Sequence, residues 1–347
     1  MILARTPVYR PLASAATLPE PGVELTETGR LAREYLGRVQ AEVRERHEAG
    51  AGGLEIVAAY TEVVDRLVRF LFFNARDHFM SRFPRLNQQC VVIAQGGYGR
   101  GELNPASDID LLFLYPWKVN PYIETIAEAI LYALWDAGLT VGHALRNNRE
   151  CERLAARDMK VKTALLDARY LCGDDSLYAE FEHHMIEEVW GQNPTQFFKE
   201  KLAESIERHT RTGDSVYLLQ PQLKEGQGGL RDLHTALWMA KVRFKVRNFR
   251  ELVTLGVLPE ASVAELETAL DFLWRVRNAM HLASAGHQDL LTFELQERIA
   301  PTLGFPAGRP GVEAFMRAYY GYASTVNRFG DMVIARCVHQ ADPYRGR

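Results

Sequence analysis

The residues best suited to do chemistry are two aspartates placed two positions apart. Asp108 and Asp110 stand at the start of an apolar run, so both side chains leave the same face of a strand. Their Cα atoms are then about 6.5–7 Å apart. Carboxylates that converge on this scale can hold a pair of divalent metal ions, which stabilise the attacking and leaving oxygens in phosphoryl transfer. Because magnesium prefers such hard oxygen ligands, the pair predicts a magnesium site.

A structural role for the same pair is the alternative. Two like charges at this separation repel by roughly 2–3 kcal/mol at an effective dielectric near 20. A structural pair would therefore need a cation beside it, and Arg100 could supply one. The glycine turn upstream and the apolar strand downstream favour the metal site.

The glycine turn is the segment Gly96-Gly97-Tyr98-Gly99-Arg100-Gly101, in which four of six residues are glycine. Glycines after a strand let the backbone turn sharply and approach a ligand closely. A helix that starts there would present free N–H groups to phosphate. No Gly-Lys-Ser/Thr follows, so the segment is not a P-loop.

Short strands and long helices must position these residues. The order strand, turn, strand, helix, strand predicts a small α/β unit near residue 85, and strand signals fade beyond residue 150. We expect an arm over residues 1–25, a catalytic domain with leading helices over 26–150 and a helical domain over 151–340. Strands are predicted at residues 90–94, 109–115 and 139–145. Helices are predicted at 26–48, 53–83, 120–137, 262–282 and 312–338, and over 149–210 with interruptions at 173–175 and 191–194.

Composition excludes several classes of protein. The chain has 347 residues and a net charge of −3, so no basic field indicates nucleic acid or an acidic membrane as a partner. No window reaches the roughly 18 apolar residues of a membrane-spanning helix, and the N-terminus lacks a secretory signal. The four cysteines form no CxxC pair, which is typical of a reduced, cytoplasmic protein.

The segment from Gly96 to Leu112 resembles the signature of the DNA polymerase β-like nucleotidyltransferases and, more narrowly, of the bacterial PII-protein uridylyltransferases. Three later segments are also similar to that family: Val141–Arg146, Leu223–Asp232 and Arg277–Leu282. The similarity extends over residues 30 to 335. It implies an α+β, mostly α fold, in which helices flank a small mixed sheet and an all-helical domain follows.

The resemblance also implies an activity, the transfer of UMP from UTP to a tyrosine of the nitrogen-regulatory protein PII with release of pyrophosphate. Asp108 and Asp110 would be the catalytic residues and would bind Mg²⁺, with Mn²⁺ as a possible substitute. The residues expected to bind the nucleotide are Gly96, Gly97, Arg100, Ser107, Lys224 and Arg231.

Two features of the site stay open at this stage. Many nucleotidyltransferases use a third carboxylate, and residues 140–145 contain none. Asp167 is a possible substitute, and the alternative is a surface or interdomain contact between Asp167 and Arg169. Lys224 and Arg231 flank a glycine loop that could close over the nucleotide phosphates. Equally, that loop could only pack one domain against the other.

The remaining charged groups predict less specific roles. The run from Lys241 to Arg250 indicates a solvated helix face, and a docking surface for an acidic partner is the weaker alternative. His281 and His287 lack a ligand-like spacing with carboxylates, so we expect ordinary surface or core roles for them.

Three functions remain in competition. The first is uridylylation of PII, the second is nucleotidyl transfer with another nucleotide or acceptor, and the third is binding without turnover. The sequence also lacks the His-Asp dyad of the HD hydrolase domain that removes UMP in the resembled family. We therefore expect that this chain by itself does not remove UMP.

Overall fold

The computed structural model describes residues 2–3, 10–84, 88–191, 193–284 and 286–339. Within them the chain is mainly helical and contains one small sheet. The α-helices are α1 (Thr28–Glu48), α2 (Gly53–Arg82), α3 (Gly96–Gly99), α4 (Pro121–Asp136), α5 (Asn148–Ala155), α6 (Met159–Leu166), α7 (Asp175–His184), α8 (Pro194–Thr212), α9 (Leu230–Phe244), α10 (Phe249–Thr254), α11 (Glu260–Ala283), α12 (Phe293–Ile299) and α13 (Arg309–His339). The predicted fold class, a small mixed sheet with flanking helices and a helical region after it, is confirmed.

The sheet has four strands in the order β3-β2-β1-β4. They are β1 (Val91–Ala94), β2 (Ile109–Leu114), β3 (Val141–Arg146) and β4 (Arg169–Gly173). β1 pairs antiparallel with both β2 and β4, whereas β2 and β3 run parallel. All four residues of β1 and five of the six of β2 are buried, as expected for central strands that are apolar on both faces.

Capping residues define both ends of α4, the helix that connects β2 to β3. Asn120 caps it by accepting a hydrogen bond from the N–H of Ile123, and Pro121 takes the first helical position, where its missing N–H costs nothing. Gly138 follows with φ +83°, the left-handed conformation that commonly ends a helix. The chain then enters β3, parallel to β2.

β4 corrects the prediction that residues 149–210 are helical apart from two interruptions. Arg169–Gly173 is a strand, and it pairs only with β1. It is an edge strand of five residues that starts three residues after α6 ends. A periodicity window cannot separate so short a strand from the helix before it.

The chain consists of two compact units. The sheet-bearing unit comprises residues 8–46 and 57–189, and the helical unit comprises residues 1–7, 47–56 and 190–347. Residues 4–9 of the predicted N-terminal arm lie outside the described residues. In the rest of that arm, Ala13–Thr17 forms a 3-10 helix, and Glu42 accepts hydrogen bonds from the N–H groups of Ala13 and Ser14 at 2.8 and 2.9 Å.

None of the described helices combines the length and the apolar character that crossing a membrane requires.

Candidate active site

The turn after β1 begins with a residue that must be glycine. Gly96 has φ +56°, in the left-handed region where a side chain is strained. It is the first residue of α3, and within the described ranges no acceptor faces the N–H groups of Gly96 and Gly97. Free N–H groups at the start of a helical turn favour a phosphate oxygen.

The carboxylate of Asp110 lies between two glycines. Asp110 pairs with Gly142 across β2 and β3, and its carbonyl accepts a hydrogen bond of 2.9 Å from the N–H of Gln95. A Cβ placed on Gly142 would stand 2.4 Å from Oδ1 of Asp110, and one on Gly96 would stand 2.9 Å from Oδ2. Ordinary contact begins at 3.4 Å. The carboxylate therefore occupies space that side chains at these positions would fill.

Asp108 lies immediately before β2 and is exposed, whereas Asp110 is half-buried. Alternation along the strand puts both side chains on one face. The donor set consists of two carboxylates, one fixed by the sheet and one open to solvent. That chemistry fits Mg²⁺, which takes one or two carboxylates and fills its other positions with water and phosphate oxygens. Metal binding by the pair stays a prediction.

Ser107 stabilises the turn that leads into β2. Its backbone N–H donates to the carbonyl of Asn104 at 2.9 Å, and its hydroxyl accepts from the N–H of Asn104 at 3.1 Å. Asn104 is fully buried. Ser107 therefore positions the segment that carries Asp108, and its predicted contact with a nucleotide stays a prediction.

Arg100 lies in a buried ion-pair network. Its guanidinium donates to Glu102 at 2.8 Å and to Asp167 at 2.5 Å, and all three side chains are at most 7% exposed. Burial opposes the charged guanidinium, but the charges of Asp167 and Glu102 outweigh it and raise the pKa of Arg100. Arg100 therefore stabilises the turn, and its predicted contact with a nucleotide stays a prediction.

The same network accounts for Asp167, the possible third carboxylate. Its side chain is fully buried against Arg100, so it is neither a surface group nor the partner of Arg169. Arg169 instead donates to both carboxylate oxygens of Asp65, at 2.7 and 3.0 Å. It also donates to the carbonyls of Tyr98 and Gly99, at 3.1 and 3.2 Å, which attaches the glycine turn to the start of β4.

In the helical unit, Asp232 organises the second glycine-rich loop. One of its carboxylate oxygens accepts from Arg208 at 2.6 Å and lies 2.8 Å from Nε2 of His209. The other accepts from the backbone N–H of Gly228 at 2.8 Å. Burial tends to raise the pKa of Asp232, but the hydrogen bond to His209 and the charge of Arg208 hold it below its ordinary value.

Lys224 lies in that loop, and Arg231 lies at its end, in the first turn of α9. Arg231 pairs with Glu225 at 3.0 Å. In the part of the chain that the structure describes, the half-buried ammonium of Lys224 has no hydrogen-bond or ion-pair partner. Burial lowers its pKa, and the charges of Arg277 and Arg231 lower it further. A cation in this setting favours an anion as partner, and the prediction that both residues bind phosphate remains open.

The run from Lys241 to Arg250 is only partly the solvated face that its charges predict, because Lys245 and Arg247 are exposed but the two ends are not. Lys241 is only 6% exposed. Arg250 pairs with Glu260 at 2.8 Å and also with Glu267. The prediction is wrong at both ends of the run.

Comparison with known proteins gives two family matches. Residues 79–171 match the nucleotidyltransferase domain, and residues 196–334 match GlnD PII-uridylyltransferase. The first range contains the whole acidic pair and glycine turn, and the second contains Lys224 and Arg231.

The relatives carry one name. The chain is 43% identical over 317 residues to the bifunctional uridylyltransferase/uridylyl-removing enzyme of Rhodospirillum rubrum, covering 90% of this chain and 33% of that protein. It is 41% identical over 309 residues to the enzyme of the same name from Rhodopseudomonas palustris, covering 87% and 33%. The chain thus spans about a third of the length of these relatives. The predicted resemblance is confirmed.

Proposed function

We propose that this chain, which is similar to PII-uridylyltransferases over residues 196–334, transfers UMP from UTP to a tyrosine of PII. The observation that carries the proposal is the carboxylate of Asp110, held between Gly96 and Gly142 beside a turn with free N–H groups. Metal-assisted phosphoryl transfer needs a backbone that can bind phosphate and carboxylates that can hold the metal. Here the glycine turn follows β1, and the two carboxylates stand at the start of the adjacent strand, β2.

In the proposed reaction the tyrosine oxygen attacks the α-phosphorus of UTP. The bond from that phosphorus to the bridging oxygen breaks, pyrophosphate leaves, and the tyrosine loses its proton. Gly96 and Gly97 would donate their N–H groups to the phosphate oxygens, and Asp108 and Asp110 would hold Mg²⁺. Bound there, Mg²⁺ would neutralise charge on the attacking and leaving oxygens.

The chain's own contribution is then positioning. The sheet fixes Asp110, and the bonds from Arg169 to the carbonyls of Tyr98 and Gly99 fix the turn. Fixed dipoles and charges of this kind need no reorganisation as the transition state forms.

We also propose the cytoplasm as the location. The four cysteines are free and buried, which suits a reducing compartment.

The direct test incubates the chain with PII, Mg²⁺ and each α-labelled nucleoside triphosphate. We expect transfer of label from UTP to PII, and a loss of at least about 100-fold in Asp108→Asn, the scale of removing one group that stabilises transition-state charge. Asp77→Asn is the matched control, because Asp77 is an exposed aspartate of the same unit.

Each other outcome selects another function. Transfer of AMP in place of UMP would indicate a different nucleotide, and tight binding of UTP without transfer would indicate a regulatory module. Full transfer by Asp108→Asn would refute the assignment of the acidic pair.

A further inference from the structure

Three side chains that can ligate metals converge at the end of α11. His281 lies in the last turn of that helix, and His287 and Asp289 follow it in the chain. Nε2 of His281 is 3.5 Å from Oδ1 of Asp289, and Nε2 of His287 is 3.1 Å from Oδ2. The sequence predicts ordinary surface or core roles for these histidines, and His287 is indeed exposed and His281 buried. Their spacing along the chain does not indicate that both lie beside Asp289.

The separations match those of a first coordination sphere. Ligand atoms about 2.0–2.1 Å from a tetrahedral zinc ion stand roughly 3.3–3.4 Å apart. The two measured separations, 3.1 Å from His287 to Oδ2 of Asp289 and 3.5 Å from His281 to Oδ1, lie on either side of that value but end on different oxygens of the carboxylate. One nitrogen from each histidine and one oxygen of Asp289 all lie within 4.8 Å of one another. A small movement of the side chains would complete three ligands around one ion.

The burial of the three side chains also suits a metal. The side chains of His281 and Asp289 are at most 1% exposed, whereas that of His287 is 42% exposed and gives an ion access from solvent.

Arg277 is the outer partner of the carboxylate. Its guanidinium donates to both oxygens of Asp289, at 2.7 and 3.2 Å. Each carboxylate oxygen has two lone pairs, so Asp289 can accept from Arg277 and still ligate an ion. Carboxylates that ligate metals are commonly hydrogen-bonded in this way, which fixes their orientation.

We propose that His281, His287 and Asp289 form a binding site for Zn²⁺, with the fourth position open to water. Two imidazoles and one carboxylate select zinc over magnesium, which prefers oxygen ligands alone. The site is separate from the Asp108/Asp110 pair in residue set and in metal class, and it does not depend on the proposed transferase function.

The metal would stabilise the glycine-rich loop of the helical unit. The carbonyl of Asp289 accepts from the N–H of Leu223 at 2.8 Å, and the N–H of Leu291 donates to Pro221 at 2.9 Å. These two bonds attach the start of the Lys224 loop to the ligand-bearing segment. An ion that ties this segment to α11 would therefore restrict the opening of the loop.

The test measures the number of zinc ions bound per 347-residue chain. The chain carries Asp108→Asn, so that zinc bound by the Asp108/Asp110 pair does not contribute to that number. The chelator-stripped protein is titrated with Zn²⁺ against a chromophoric competitor. We expect one ion per chain, a higher Tm with zinc, and slower hydrogen exchange at the N–H groups of Leu223 and Leu291. Neither UTP nor PII is needed, so failure here and failure of uridylylation are distinguishable.

His287→Ala is the decisive variant, since the exposed side chain can be removed without opening the core. Losing one of three ligands should weaken zinc binding at least about 100-fold and abolish the shift in Tm. His183→Ala, at an exposed histidine of the other unit, is the control and should bind zinc as the parent does. Less than stoichiometric zinc on the parent, or equal binding by His287→Ala, would overturn the proposal.

Discussion

Gly142→Ala tests whether the position of the Asp110 carboxylate, and not only its charge, supports catalysis. The added Cβ would stand 2.4 Å from Oδ1 of Asp110, and ordinary contact begins at 3.4 Å. The carboxylate must therefore move by about 1 Å, and a displacement of that size at a reacting centre can cost on the order of 100-fold in rate. We expect kcat/KM for UMP transfer to fall by about that factor, equivalent to about 2.7 kcal/mol.

The assay compares initial rates of UMP transfer to PII, with Tm as the measure of folding. Gly96→Ala should act in the same direction, because it combines a 2.9 Å approach to Oδ2 with a positive φ. Gly37→Ala is the control, since no atom lies within 4 Å of its Cβ. Suppose that Gly142→Ala folds normally and keeps its rate of UMP transfer within about threefold of wild type. Catalysis then does not require the position of the Asp110 carboxylate that the two glycines allow, and the reasoning is refuted.

Two further variants test the buried charge networks. Arg100→Met leaves Glu102 and Asp167 buried without their cation, so it should lower the free energy of unfolding by about 3–5 kcal/mol at pH 7 in urea titrations. An equal loss at pH 5, where such carboxylates accept protons, would argue against unpaired charge as the cause. Asp232→Asn should remove a stabilisation that wild type has above the ordinary aspartate pKa of about 3.9 and loses as the pH falls through the lower folded-state value. Urea titrations across this pH range should therefore show that the free energy of unfolding falls less steeply with decreasing pH in the variant than in wild type. An unchanged pH dependence would exclude Asp232 as a cause of the acid destabilisation.

The features that the sequence predicted well are local ones. The acidic pair and the glycine turn lie within fifteen residues, Gly96 to Asp110, and strand alternation is enough to place both carboxylates on one face. The short apolar runs at residues 90–94 and 109–115 were enough to predict the strands that the structure shows as β1 and β2. The long helices α11 and α13 have regular apolar spacing, so their ranges are close to the predicted ones.

The features that the sequence did not predict depend on contacts between distant segments. Arg100 is 67 residues from Asp167, and nothing in the spacing indicates that they pair. The convergence of His281, His287 and Asp289 depends in the same way on the chain reversing after α11. Pattern analysis treats such residues singly and so assigns them ordinary roles.

β4 has more influence on the site than its length suggests. Asp167 and Arg169 stand at its start, and both contact the glycine turn: Asp167 through the guanidinium of Arg100, and Arg169 through the carbonyls of Tyr98 and Gly99. β4 also pairs with β1, the strand from which the turn emerges. The turn is thus fixed on one side by the strand that precedes it and on the other by an edge strand that supplies no predicted ligand. A site defined only by residues that touch the substrate would omit β4, although Arg169 at its start donates to the carbonyls of Tyr98 and Gly99 in the same turn as Gly96 and Gly97.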